Sequence, residues 1–397
     1  MEKIKKFLKS DIVFAVSAIL AFVSCFFVHP SKDYVGYIDF KTLSLLFCLM
    51  ITVCGFRSIN VFTALGNVLS KKADTNRKIT FFMVILCFFS SMFITNDVAL
   101  ITFVPFTIFF LKSVNESKSI GKIVILETIS ANLGSMLTPV GNPQNLYIYS
   151  ISNMSVGKFI GTMLPLSTVS LVLVLILCIT IKNKKFEVEN TENNEIVVDK
   201  KGVVVYGLLF LLCIGCVLHI LNYIYLFVIV SVVMAIYNRK LFLKVDYILL
   251  LTFMFFFVFI GNLSNMESVK TFLESIIDGK ELFIGAFLSQ FISNVPATIL
   301  LSKFTENYKQ LLYGVDIGGL GTLIGSMASL ISYKFYSQED DADTKKYIKD
   351  FSIYNFSLFI ILIVGRRSAH CQSPMYCAIS PKGTAGSVCA PPAQSPS

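Results

Sequence analysis

The chain has 397 residues, a formal net charge of +9 and a mean hydropathy of +0.72; 55% of its residues are hydrophobic and 15% are charged. An ordinary soluble domain carries about 25% charged residues, and a soluble surface this apolar would aggregate. These values exclude a soluble enzyme, a nucleic-acid binder and a disordered scaffold, and leave an all-α polytopic membrane protein, since the apolar runs are continuous rather than alternating as in a transmembrane barrel.

Lys3, Lys5, Lys6 and Lys9 precede a first apolar helix over 11–30, which is expected to be retained rather than cleaved. A second helix covers 38–57 and ends at Arg57, placed to snorkel; a milder amphipathic stretch follows at 58–72. The run 79–111 is too long for one span and has Thr95-Asn96-Asp97 at its middle. Arms of about 15 residues reach about 22 Å, short of the hydrocarbon core, so a re-entrant hairpin with Asn96 at its tip is expected. A Gly-broken helix over 122–150 and a full helix over 159–181 complete a first repeat, 1–181. The Lys-, Glu- and Asn-rich segment 182–202 is a cytoplasmic linker.

The second repeat, 203–365, has helices at 203–219, 220–238 and 246–262. Then come a hairpin over 282–303 with Ser293-Asn294-Val295-Pro296 at its middle, a broken helix over 312–335, and an apolar run, 351–365, that is short for a span. The tail 366–397 has no Phe, Leu or Asn and is rich in Pro; it is expected to derive from a frameshift or from cloning. With the N-terminus cytoplasmic, 24 of the 34 Lys and Arg fall on the inside, and the two hairpins enter from opposite faces. Inverted halves with broken helices are the pattern of secondary transporters. Letter by letter, Leu133-Gly134-Ser135 matches Leu320-Gly321-Thr322, with three residues fewer before the next Gly in the second half.

Half-helix N-termini suit anions; C-terminal carbonyls with amide and hydroxyl oxygens suit small cations. The substrate candidates are Thr95, Asn96, Pro139, Asn142, Ser293, Asn294, Thr322 and Ser326. The Na⁺ or H⁺ candidates are Asn96, Asp97, Gly141, Asn294 and Gly325, with Glu127 and Asp316 as further intramembrane carboxylates. Alternatively, Asn96 and Asn294 are simply helix caps at the tips. The ten Cys, including Cys213 and Cys216, and the three His form no metal-ligand pattern; the cysteines of the apolar runs are expected to pack. Neither a catalytic residue nor a cofactor is expected beyond Na⁺ or H⁺ as coupling ion.

Thr95 to Leu100, Asn132 to Leu146, Ser293 to Pro296 and Asp316 to Ser326 resemble the ion transporter superfamily, over roughly residues 10–365. It includes divalent-anion/sodium symporters, citrate transporters, arsenite permeases and NhaD-type sodium/proton antiporters; the anion permease branch is most similar. The resemblance implies a secondary active carrier of a di- or tricarboxylate or an inorganic oxyanion, commonly a homodimer in a prokaryotic cell membrane. It also implies elevator-type movement of the hairpins and broken helices. The family's Ser-Asn-Thr tip triplets match Thr95-Asn96-Asp97 and Ser293-Asn294-Val295, each lacking the third hydroxyl. Two other readings are a Na⁺/H⁺ antiporter using Asp97 and, remotely, a membrane aspartyl protease using Asp97 and Asp316; a structural membrane subunit would not need matched polar tips.

Overall fold

The computed structural model describes residues 12–32, 34–61, 64, 74–114, 116–185, 199–218 and 220–371. The N-terminal lysines, most of the 58–72 stretch, most of the linker and the tail beyond 371 lie outside the described residues. The described chain is nearly all helical and contains no strand, only an isolated bridge between Thr75 and Lys185. Seven of its helices are long and apolar enough to cross a membrane.

The first half contains α1 (Ile12–Ser24), the short α2 (Tyr34–Tyr37), α3 (Phe40–Ser58), α4 (Asn76–Ile94), α5 (Asn96–Ser113), α6 (Ser117–Ser135), α7 (Pro143–Ile151) and α8 (Val156–Ile179). The second contains α9 (Lys200–Val217), α10 (Tyr223–Asn238), α11 (Tyr247–Ser264), α12 (Glu267–Ile277), α13 (Glu281–Ile292), α14 (Asn294–Leu301), α15 (Tyr308–Gly318), α16 (Met327–Ser337) and α17 (Thr344–Cys371).

Both interruptions fall within the expected polar stretches, the first at Thr95, one residue before the expected tip at Asn96. Thr95 separates α4 from α5 with φ 69° and ψ 151°; Ser293 separates α13 from α14 with φ 73° and ψ 155°. This region is populated almost only by Gly and costs a residue with a Cβ about 1–3 kcal/mol. Each pair of arms is a hairpin whose open end is tied. Asn76 at the start of α4 donates to Glu116 just beyond α5 (2.8 Å). Glu281 at the start of α13 accepts from Thr305 (3.1 Å) and Asn307 (3.4 Å) just beyond α14.

Three expectations need correction. α4 has 19 residues and is itself long enough to cross, so arm length alone does not make the first hairpin re-entrant. α13 and α14, at 12 and 8 residues, do stay short, at about 18 and 12 Å. The final run is not short: α17 begins at Thr344, and its polar start conceals seven helical residues from a hydropathy reading. The amphipathic helix α12 has no counterpart among the segments expected from hydropathy, because it lacks a continuous apolar run.

The interior sits where α6 packs on α4 and α15 packs on α13. α6 is buried without a break from Ile123 to Ser135, and α15 from Gln310 to Gly318. α8, α9 and α10 present their apolar side chains outward; Ile179, Leu211 and Ile236 are 62%, 65% and 83% exposed, as lipid-facing residues are. Cys48, Cys87, Cys178, Cys213 and Cys216 are buried packing residues with free thiols.

The α4–α6 contact depends on Gly134, where a Cβ would come within 2.1 Å of the Phe88 carbonyl oxygen. Gly134→Ala is expected to force the helices apart at a cost of about 1–3 kcal/mol. Gly157→Ala, in open space, should leave the melting temperature of the purified protein unchanged or slightly higher. Glu116 offers a pH test. Burial alone would raise its carboxyl, but hydrogen bonds from Lys184 and Asn76 outweigh that and hold it below its ordinary value. A depressed folded value gives stability that is present above the unfolded value and is lost as pH falls through the folded one. The melting-temperature deficit of Glu116→Gln should therefore be full at neutral pH and vanish in acid.

Candidate functional site

Both broken helices stop inside the bundle. α6 ends at Ser135 and α7 starts at Pro143; α15 ends at Gly318 and α16 starts at Met327, with one 3₁₀ turn (Leu323–Gly325) between them. A helix end there leaves N–H and C=O groups that must find partners inside the protein.

The same solution is used twice. Thr138 donates its hydroxyl to the Met92 carbonyl, and Thr322 donates to the Gln290 carbonyl (2.9 Å); Met92 and Gln290 each lie three residues before their tip. The Gly141 and Gly325 N–H groups turn back onto the Thr138 and Thr322 carbonyls (3.3 and 3.1 Å). Farther along, Ser130 donates to the Val84 carbonyl (2.6 Å), and Gly314 sits against that of Leu282. These pairings place Gly134 opposite Gly318, not Gly321, and need no gap. Matching by letters is off by three at that point because Gly134 is helical, whereas Gly321 is a turn residue at φ 99°.

The two halves are bonded crosswise. Asn142, the N-cap of α7, donates to Asp316 Oδ1 on α15 (3.1 Å); Ser326, the N-cap of α16, donates to Asn132 Oδ1 on α6 (3.0 Å). Asn132 and Asp316 occupy equivalent places, each six residues before its loop threonine. Gln144 adds a second bond to Asp316 Oδ1 (3.2 Å).

Asn132 is the hub. Its Oδ1 also accepts from Asn96 Nδ2 (3.0 Å), and its own Nδ2 reaches the Gly319 carbonyl and Ser329 Oγ (3.4 Å each). Gly319 in turn lies against Asn294, where an added Cβ would come within 3.1 Å of Nδ2. The two tips are thus linked through Asn132 and Gly319. The Asn96 N–H donates to the Gly141 carbonyl (3.0 Å), so the first tip is joined to the first loop by the backbone as well.

The expected residues are distributed around this hub. Asn96, Asn142, Ser293, Asn294 and Ser326 are buried, and Gly141 and Gly325 lie in the loops beside them. Thr95 and Ser293 hold the strained cap positions without side-chain cap bonds, so Asn96 and Asn294 are the first residues of the second arms rather than the caps. Thr322 is bound to Gln290. Pro139 is buried in the first loop, with no polar bond to give as a proline side chain. Asp97 is half-buried, one residue past the tip, and has Asp246 as its charged neighbour. Asp316 is held by amides of α7, and Glu127 accepts from Thr107 on α5; neither is bonded to Asp97.

Sequence reasoning passed over Asn132, Gln290 and Asn145 as ligating residues. Gln290 spans the second break, donating to the Gly318 and Leu320 carbonyls (2.9 and 3.0 Å) and accepting from the Thr322 N–H (2.9 Å). Asn145 does the same for the first, reaching the Met136 and Thr138 carbonyls (3.1 and 3.2 Å). An amide isolated in a short apolar run, as Gln290 is between Ile284 and Ile292, is the signal that could have found it.

The family model for citrate transporters matches residues 1–312. The chain belongs to the citrate transporter family. An uncharacterized transporter of Methanocaldococcus jannaschii is 36% identical over 298 residues, covering 75% of this chain and 81% of that protein. The inner membrane protein YbiR of Escherichia coli is 33% identical over 333 residues, covering 82% of this chain and 88% of its own. A silicon efflux transporter of Oryza sativa is 30% identical over 156 residues, 38% of this chain and 32% of its own. Family membership, the relatives and the seven apolar helices together make this an integral membrane transporter of the citrate and arsenite permease type.

The hub supplies a test. Asn132→Ala strands the partners of both oxygen and nitrogen, at about 1–3 kcal/mol for each buried group left unpaired. Asn132→Asp keeps the acceptor for Asn96 and Ser326. Thermal unfolding of the purified variants should rank wild type first, Asn132→Asp second and Asn132→Ala last.

Proposed function

We propose that the chain is a secondary active carrier that moves a small anion, a di- or tricarboxylate or an inorganic oxyanion, coupled to Na⁺ or H⁺. The observation that carries this reading is the meeting of two strained tips and two broken helices at one buried hub. α5, α7, α14 and α16 all start there, and aligned helix N-termini favour an anion without requiring a fixed Lys or Arg. The side chains bonded at the hub are amides, hydroxyls and a carboxylate.

Thr95, Asn96, Pro139 and Asn142 from the first half, with Ser293, Asn294, Thr322 and Ser326 from the second, form the substrate site. Asn96, Asp97 and Gly141, and Asn294 and Gly325, contribute oxygens to cation sites at the two tips. The halves, 1–181 and 203–365, are inverted repeats joined by the linker 182–202, and the hairpins are re-entrant from opposite faces with the N-terminus cytoplasmic. The crosswise bonds between equivalent residues support a two-fold relation, and the distribution of Lys and Arg supports the orientation. Movement of hairpins and broken helices as one body against α3 and α9–α11 is an elevator step, and a homodimer would anchor the static helices.

A Na⁺/H⁺ antiporter centred on Asp97 is the second reading, favoured by the like charge of Asp246 in the neighbourhood of that carboxylate. A thermal-shift screen with citrate, succinate, sulfate and arsenite, each in Na⁺ or choline, separates the two. An anion at 100 times its dissociation constant stabilises by about 2.7 kcal/mol. Stabilisation by an anion supports the carrier; stabilisation by Na⁺ alone, opposed by acid, supports the antiporter. Asn96→Ala and Asn294→Ala should each abolish uptake while the protein still inserts in the membrane. Near-normal uptake in both would overturn the two-tip site.

A further inference from the structure

Asn132 and Asp316 occupy equivalent places, yet their side chains are not equally satisfied. Both polar atoms of Asn132 are in use. Asp316 is 3% exposed, and its Oδ1 takes both amide bonds, from Asn142 and Gln144. Its Oδ2 is buried without a partner. The side chain of Asn145 also lies within interaction range of this carboxyl, and its Oδ1 is likewise buried and unpaired. An ionised carboxylate in this place would bury charge on an oxygen that accepts no hydrogen bond, which is costly. A proton on Oδ2 removes that charge and turns one of two stranded acceptors into a donor.

The position of the carboxyl gives that proton a consequence. Asn142 is the N-cap and Gln144 a first-turn residue of α7, a helix of nine residues. The carboxyl of Asp316 therefore occupies the end of α7 where an external anion would be favoured. Ionised, it is a tethered anion at that end.

Among the described residues, the elements packed against α15 bring no charged group onto the Asp316 carboxyl. α7 presents Asn142, Gln144 and Asn145, and its Tyr147 is turned to Ser302. On α13, Gln290 is committed to the second loop and Glu281 to Thr305 and Asn307. On α6, Glu127 is bound to Thr107. On α17, Arg366 lies over the ring of Tyr313, one helical turn before Asp316 on the same face of α15, and is engaged there rather than with the carboxyl. α14 contributes apolar side chains, Asn294 and Thr298. The groups that act on the Asp316 carboxyl are the three amides of α7.

We propose that Asp316 is the coupling proton site: protonated on Oδ2 it leaves the N-terminus of α7 to the substrate anion, and ionised it fills that end in the substrate's place. The proposal rests on the anion-carrier reading and deepens it, since it assigns the coupling ion and its sign. The proton comes from water on the side to which the hub opens and returns to water on the other; an O–H bond forms and later breaks, and no other bond changes. Binding of proton and anion is mutually favourable by linkage, so the two travel together as a symport.

The test uses the purified full chain. Infrared difference spectra between acid and alkaline pH should contain the C=O stretch of a protonated carboxylic acid that is lost in Asp316→Asn and shifted, not lost, in Asp316→Glu. Asp97→Asn and Glu127→Gln assign any bands of those carboxyls. A pH-indicator dye should then report uptake of roughly one proton per anion bound when the stabilising anion among citrate, succinate, sulfate and arsenite is added. Asp316→Asn should still be stabilised by that anion, without proton uptake and independently of pH. A spectrum unchanged by Asp316→Asn, proton uptake that persists in that variant, or a strict need for Na⁺ in place of acid would overturn the proposal. If none of the four anions binds, the carrier reading fails, while the infrared band still decides whether Asp316 takes a proton.

Discussion

A helix that stops inside an apolar bundle leaves N–H groups at one end and carbonyls at the other, and water is not there to take them. The rest of this structure follows from how those groups are satisfied. Each tip is a single non-glycine residue forced into a glycine-like conformation, so that one arm can end and the next begin with no intervening loop. Each loop threonine anchors its break to the backbone of a hairpin. Side-chain amides, Asn145 in one half and Gln290 in the other, collect the carbonyls that remain. The strain at the tips is sustained only because the surrounding bonds over-determine them.

The two halves reach this result with different residues, and the differences fall where chemistry can act. One acceptor of the crosswise pair is a neutral amide, the other a carboxylate. One break is bridged from the helix that follows it, the other from a hairpin arm. The first tip carries Asp97, where the second carries Val295. On the proposed reading, unlike groups at equivalent places would let one centre hold an anion and a cation without symmetric copies of either site.

Much of the fold was legible because membrane burial writes itself into continuous apolar runs, and because a polar triplet in the middle of such a run is costly unless the backbone breaks there. Thr95 and Ser293 lie in the polar stretches found on that ground, although the first tip was expected one residue later, at Asn96. What escaped was whatever hydropathy does not mark. The polar start of α17 and the amphipathic α12 have no unbroken apolar window. The correspondence expected between the two breaks was read in a register displaced by three at Gly134, since letters do not distinguish a helical glycine that permits close packing from a turn glycine at positive φ. Asn132 stood in the quoted motif, yet its role as hub depends on contacts with residues almost 200 positions away in the chain, among them Ser326 and Ser329. Pairings of that kind are set by the fold and leave no local trace.

The division between a tightly bonded interior and an outward-facing periphery bears on how such a protein can move. α4 to α7 and α13 to α16 are tied by hydrogen bonds that cross between the halves, so neither half can shift alone without exposing buried polar groups. α9 and α10 meet α3 largely through aromatic and aliphatic side chains, such as Phe56 with Phe210 and Phe47 with Phe227. Apolar contacts are non-directional and can be exchanged for others, or for lipid, at small cost, whereas a displaced buried hydrogen bond costs its full desolvation. The proposed elevator step would carry this bonded centre as one body, and the bonds from Ser150 on α7 to Asp39 and Thr42 at the start of α3 (3.0 and 2.9 Å) are polar contacts that it would have to exchange. On the same proposed reading, the charge state of a group inside that centre, rather than a change in its packing, alters what the centre binds.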